Sequence, residues 1–378
     1  MKNNAKRWGS GALKVLLGAA AGFAVGVLLA MLLPKRDAAR PFSLSRTLVS
    51  LGLTLAWACL CGYVSILVHE AGHLVCGLLS GYRFVSYRAG SFILYRRAGR
   101  LHRGRYTVAG TAGQCLLAPP GAFGEAYPYV LYNLGGALAN FLLGAVCLAA
   151  GVLAPGKVWT LLLVLAGALS ILIGLPNLIP LKSMTTDGTN LLLARRSETA
   201  RKAFWVTLAA NEQLTEGRRL REMPGEWFDV PPLSPQLDPL TLGLHCAALQ
   251  RLMDEGRLAE AAAGYRAVLE QGGRLIELQK NEIRCELLLL ALLTGDDAAA
   301  RQLNTPALQK YRKATAGYPS RLCLAYAEAL LLDGDAAQAG VRRTAFVQKA
   351  AAYPLAGETA LYADLLDAAD RRAAAQTM

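Results

Sequence analysis

Acidic side chains are nearly missing from the first half of this chain: through Asn190 only Asp37, Glu70, Glu125 and Asp187 carry carboxylates. Charge as a whole is scarce. Charged residues are 18% of the 378, hydrophobic ones 54%, and mean hydropathy is +0.31, a balance that excludes an ordinary soluble protein and puts part of the chain in lipid. Paired cysteines are lacking too. The eight, at 59, 61, 76, 115, 147, 246, 285 and 323, include no Cys-x-x-Cys pair and lie mostly in apolar segments, which excludes a disulfide framework and reads them as small reduced hydrophobes. The net charge of +13 comes without a basic patch interleaved with aromatics on a folded domain. Many of the basic residues flank apolar runs, where they orient a membrane protein, so no nucleic-acid partner is expected.

What is present is long apolar sequence. Lys2, Lys6 and Arg7 precede a run over about 13–33 that stops at Pro34; roughly 20 residues suffice to cross about 30 Å of hydrocarbon. A cleaved secretory signal shares the basic start, but this run exceeds the usual core and lacks a small-x-small exit, so an uncleaved span is expected. Further spans are expected over about 48–79, 130–153 and 158–179, giving about four transmembrane helices. Residues 81–126 differ in kind. Seven arginines there alternate with Phe84, Tyr87, Phe92, Tyr95, Tyr106 and their apolar neighbours, broken by Gly90, Gly99 and Gly104, which predicts short strands and hairpins. The arginine excess assigns this loop to the cytoplasm, against a bias from Lys35, Arg36, Arg40 and Arg46 in the preceding link.

Within the second apolar run stands His69-Glu70-Ala71-Gly72-His73. On a helix the two imidazoles project from one face, about 5.4 Å apart along the axis, where both can hold one metal ion with Glu70 beside it. A hydrolytic zinc needs a third protein ligand, an open position for water and a carboxylate to take its proton. His69 lies about 30 Å along the helix from Leu48, near one membrane face, and ionisable groups inside a span mark function by default.

Asn140 and Asp187 are the other polar residues of interest. Asn140 follows Gly135, Gly136, Ala137 and Ala139, small residues that let another helix approach closely. About 15 Å into the bilayer, its amide would either bond to a neighbouring helix or donate to a substrate backbone or developing oxyanion. Asp187, in Thr185-Thr186-Asp187-Gly188, is the natural third ligand, because the chain crosses twice between the ends of the second and fourth spans and returns it to the face where His73 emerges. The other reading is an Asp-Gly turn that caps a helix from Thr189. Pro176 and Pro180 are expected to break the fourth span. His102 and His245 stand isolated and read as structural.

Residues 48–190 resemble the site-2 protease family of intramembrane zinc metalloproteases. His69-Glu70-x-x-His73 in a transmembrane helix, a small-residue stretch ending in Asn140, and an Asn177-x-x-Pro180 run leading to Asp187-Gly188 occur in that family's order. The resemblance implies one zinc ion per chain held by His69, His73 and Asp187, Glu70 as general base, Asn140 and Asn177 as substrate contacts, and cleavage of a membrane-embedded protein or peptide precursor. Departures are Gly136, where many members carry proline, and a longer segment from Pro180 to Asp187. In the basic loop, an edge pairing with an unwound substrate strand stands beside plain contact with lipid headgroups.

Beyond about Thr189 the composition turns soluble. Residues 197–216 predict an amphipathic helix with Phe204, Trp205 and Leu208 on its apolar side, lying on the membrane surface, and the Pro-rich stretch 230–239 predicts a linker. Gly256, Gly295 and Gly334 then recur at 39-residue intervals, each after a leucine-rich helix and before an alanine-rich one. This resembles degenerate tetratricopeptide repeats, which implies a partner protein. The expectation is a mainly α, polytopic membrane protein: a protease domain over 1–190 with a small β-rich loop, a connecting segment over 191–239, and a soluble α-helical repeat domain over 240–378. Its N-terminus, active-site face and C-terminal domain are expected in the cytoplasm, and the Ala/Leu/Arg-rich composition points to a bacterial cell membrane. The alternative function is an inactive membrane scaffold that holds a partner through the repeats.

Overall fold

The computed structural model describes residues 43–180, 185–273 and 275–376; the expected first span lies outside them. The described chain is mainly helical, with thirteen α-helices and a four-stranded antiparallel sheet. Three helices are long and apolar enough to cross a membrane: α1 (Leu44–Leu79), α2 (Tyr129–Leu153) and α3 (Lys157–Leu178). Within each helix the backbone N–H and C=O groups pair internally, as a hydrocarbon surrounding demands, apart from the helix ends and the turn before Pro176. The described residues divide into two compact units, those up to 73 with 134–179 and 74–133 with those from 180 onward; the division runs through α1 and α2.

In the first unit, small residues set the helix contacts. A Cβ on Gly72 of α1 would fall 2.2 Å from the carbonyl oxygen of Gly135 and 2.6 Å from Ala139 Cβ, so the α1–α2 crossing closes only on bare backbone. α2 meets α3 the same way: a Cβ on Gly167 would lie 2.9 Å from Gly144 O, and one on Gly174 would lie 2.9 Å from Asn140 Cβ. Trp57 Nε1 donates to Leu162 O at 3.0 Å, tying α1 to α3. Outward side chains such as Leu51, Leu53, Leu142 and Val158 are exposed, an apolar surface of the kind lipid covers. Pro176 does not end α3. It forfeits one intrahelical bond, and the helix runs on to Leu178, where Ile179 N–H donates to Pro176 O at 3.2 Å before Pro180.

The second unit contains the sheet, ordered β3-β2-β1-β4: β1 (Arg83–Ala89), β2 (Phe92–Arg97), β3 (Arg100–Arg105) and β4 (Gly113–Ala118). Two loop arginines are structural. Arg88, 1% exposed, bonds Gly90 O and Gly113 O at 2.8 and 3.1 Å, and Arg97 bonds the carbonyls of Thr215, Tyr353 and Pro354. Arg96, Arg100, Arg103 and Arg105 stay exposed. Between the sheet and the C-terminal helices come α4 (Asp187–Arg196) and α5 (Glu198–Thr215). The membrane-surface placement expected for α5 gives way to packing within the protein: Phe204, Trp205 and Leu208 are buried in one cluster with Leu117, Tyr127 and Tyr132, because sheet and tyrosines cover the apolar face that lipid would have covered.

Helix pairs follow: α6 (Pro239–Asp254) with α7 (Leu258–Gln271), α8 (Glu277–Thr294) with α9 (Asp297–Leu303) and α10 (Pro306–Ala314), and α11 (Pro319–Leu331) with α12 (Ala336–Ala351), then α13 (Ala356–Gln376). Gly256, Gly295 and Gly334 all adopt left-handed φ, 78°, 88° and 67°. Each turns the chain back after a helix, a conformation that costs other residues about 1–2 kcal/mol. The Leu287–Leu293 run of α8, almost wholly buried, forms the centre of the core.

Candidate metal centre

α1 presents His69 and His73 one turn apart, with their Nε2 atoms 3.2 Å from each other and their rings edge to face at a centroid distance of 4.9 Å. His69, Glu70 and His73 are 6–7% exposed. Burial of three such groups in an apolar helix is costly without a compensating charge or ligand.

The space beside both imidazoles is left by Gly136. A Cβ built there would lie 2.5 Å from His69 Nε2 and 2.5 Å from His73 Nε2, closer than real Cβ contacts allow. On the other side of His69, Asn140 is wholly buried, with its amide nitrogen 3.3 Å from the ring Nδ1. Ser170 Oγ donates to the Asn140 carbonyl at 2.9 Å, and Gly174 lets α3 close over Asn140. Asn140 therefore bonds across helices, the first of its two sequence readings, and its partner is a candidate ligand. This orienting role, and the contributions of Ser170, Gly174 and Gly136, were not drawn from the sequence; the glycines at 136, 167 and 174 around one serine were the available signal.

Asp187 opens α4, but the cap is Thr186, whose Oγ1 accepts from Thr189 N–H at 3.2 Å. The turn-cap reading thus belongs to the neighbouring threonine, and the Asp187 carboxylate sits in a first turn where the helix dipole favours negative charge. One ligand atom each from His69, His73 and Asp187 lie within 4.8 Å of one another, a trio that could hold a metal ion. Asn177 turns back on its own helix and donates to Ile173 O at 3.1 Å.

The isolated histidines have local explanations. His102 stacks on Tyr95 at 5.3 Å. His245 is buried against the Pro231 carbonyl, with its pKa pushed down by burial. All eight cysteines are free thiols. No family model matches the chain, and no curated protein or solved structure does either.

Proposed function

We propose that this chain is an intramembrane zinc metalloendopeptidase of the site-2 protease type, which hydrolyses a peptide bond in or near the membrane span of a protein or peptide precursor. The observation that carries the proposal is the grouping of His69, His73 and Asp187 beside the buried Glu70, with the two histidines and Glu70 on a helix apolar enough to cross a membrane. The residues fit the ion. Two imidazole nitrogens and one carboxylate are the donor set of a hydrolytic zinc, with a fourth position left for water, and the missing side chain of Gly136 leaves room beside both Nε2 atoms.

When bound, zinc supplies Lewis acidity, polarising a peptide carbonyl and making water nucleophilic near neutral pH. The remaining steps belong to the chain. His69 must offer Nε2 to the ion, which requires a proton on Nδ1; the Asn140 amide, turned to present its oxygen, accepts that proton and fixes the tautomer. Glu70, adjacent to His69 in α1, is the general base: it takes a proton from the attacking water and returns it to the leaving amine. Water must reach the site, and a helical substrate must unwind locally to expose its carbonyl. The exposed arginines at 96, 100, 103 and 105 support a cytoplasmic sheet, and a bacterial cell membrane is the setting proposed.

The test is cleavage of a single-span substrate co-reconstituted in liposomes. Wild type is expected to cleave, more readily when helix-breaking residues are placed in the substrate span, and Glu70→Gln is expected to lose cleavage. Equal turnover by Glu70→Gln would overturn the mechanism. Absence of wild-type cleavage across a panel of spans would favour the scaffold that holds a partner through its helix pairs.

A further inference from the structure

The β2–β3 hairpin turns one face to the protein and leaves the other bare. Ile93 and Tyr95 are 3% and 6% exposed, and Arg97 is tied to the carbonyls of Thr215, Tyr353 and Pro354. Side chains alternate along a strand, so Phe92, Leu94 and Arg96 point the other way. Their cross-strand partners are Arg105, Arg103 and Leu101, in that order. Directly opposed residues share a face, so each apolar side chain on it stands opposite an arginine. The face is open: Phe92 is 44% and Leu101 70% exposed, and the three arginines are exposed with them.

Its charge is not answered from within. Arg103 and Arg105 pair with no carboxylate among the described residues. Glu212 and Glu216 stand at the Arg96 end alone, where Glu212 already holds Arg83. Connectivity then places the face. β1 opens at Arg83 just after α1 ends at Leu79, and α2 opens at Tyr129 after β4 ends at Ala118, so the sheet is strung between the ends of two helices apolar enough to cross a membrane. The link from Leu79 to Arg83 reaches at most about 14 Å, and β3 lies two strand spacings, about 10 Å, from β1. The hairpin is thereby held close to where α1 leaves the bilayer.

We propose that this face rests on anionic phospholipid headgroups of the membrane that α1 and α2 cross, with Arg103 and Arg105 on the phosphates and Leu101 and Phe92 dipping into the interface beside them. Guanidinium pairs with phosphate through two parallel hydrogen bonds, surfaces that combine basic and apolar side chains settle at lipid interfaces, and an anionic leaflet attracts every arginine near it. An acidic protein would answer the arginines and leave Leu101 and Phe92 to find a separate apolar match. One lipid surface answers both. The inference shares with the proposed function only the membrane setting; neither metal nor cleavage enters it.

The experiment is photocrosslinking of the full chain in nanodiscs of equimolar phosphatidylcholine and phosphatidylglycerol. The photoreactive p-benzoylphenylalanine replaces Leu101 on this face or His102 on the opposite one, and mass spectrometry identifies the adducts. Lipid adducts are expected at 101 and not at 102, with phosphatidylglycerol over phosphatidylcholine by at least about fivefold, the effect of one arginine at an anionic surface. Arg103→Gln with Arg105→Gln should bring that ratio to parity, and so should about 1 M salt, which screens exposed charges. Neither arginine makes a hydrogen bond within the described fold, so the double variant should melt with wild type. The proposal is overturned by adducts at 101 that are protein rather than lipid, by equal lipid labelling at 101 and 102, by parity of the two lipids in the wild-type background, or by a ratio that substitution and salt leave unchanged.

Discussion

A Cβ on Gly136 would stand 2.5 Å from Nε2 of His69 and equally close to Nε2 of His73, so the glycine in α2 and the histidines in α1 form one steric unit. Gly136→Ala should therefore displace the imidazoles and lose most bound metal, although alanine is the better helix former. Metal analysis beside a thermal melt in detergent checks this: a folded variant without metal is expected, and full metal occupancy would show that the space is not needed.

Asn140 touches His69. Removal of such an outer partner typically costs about 10–100-fold in metal affinity, so Asn140→Ala should bind zinc more weakly by that factor, read by competition with a chelator. If Asn140 served the substrate alone, zinc affinity would stay at the wild-type value while KM rose.

Gly72 meets Gly135 O at a distance no side chain tolerates, whereas Gly52 and Gly62 on the same helix face open space. Gly72→Ala is expected to destabilise by about 1–3 kcal/mol, the usual cost of overpacking. Gly52→Ala should melt at or slightly above wild type. Equal melting temperatures for the two variants would remove the tight crossing.

Glu286 faces Glu282, Arg321 and Tyr362, and also Glu358, whose own carboxyl is pushed up to about 7 by burial first and by the charge of Glu286 second. Burial raises the Glu286 pKa above 4.5. The folded state then holds that proton more tightly than the unfolded chain, so stability present below pH 4.5 is lost as pH rises through the folded value. Glu286→Gln removes this dependence. Its melting temperature relative to wild type should rise steadily from pH 4 towards pH 8, and a flat or falling difference would contradict the burial effect.

Much of the helical architecture was legible in the sequence because its signals are local. Long uncharged runs predict the helices at Leu44–Leu79, Tyr129–Leu153 and Lys157–Leu178, alternating arginines and aromatics predict the sheet, and the evenly spaced glycines mark the ends of three helices. Pairing is not local, and there the sequence fell short. Arg88 and Arg97 read as surface charge until the carbonyls that bind them were in place. The apolar face of Glu198–Thr215 has the same periodicity whether lipid or Leu117 covers it. Thr186 and Asp187 compete for the role of cap, and only the Thr186–Thr189 bond assigns it.

The most direct test of the metal centre is the metal content of the purified full chain, measured for first-row metals in wild type, Asp187→Ala and Glu70→Gln. About one zinc per chain is expected in wild type and in Glu70→Gln, which removes the base but no ligand, and most of it should be lost from Asp187→Ala. A wild-type protein without zinc, or an Asp187→Ala variant that holds zinc as wild type does, would contradict the assignment.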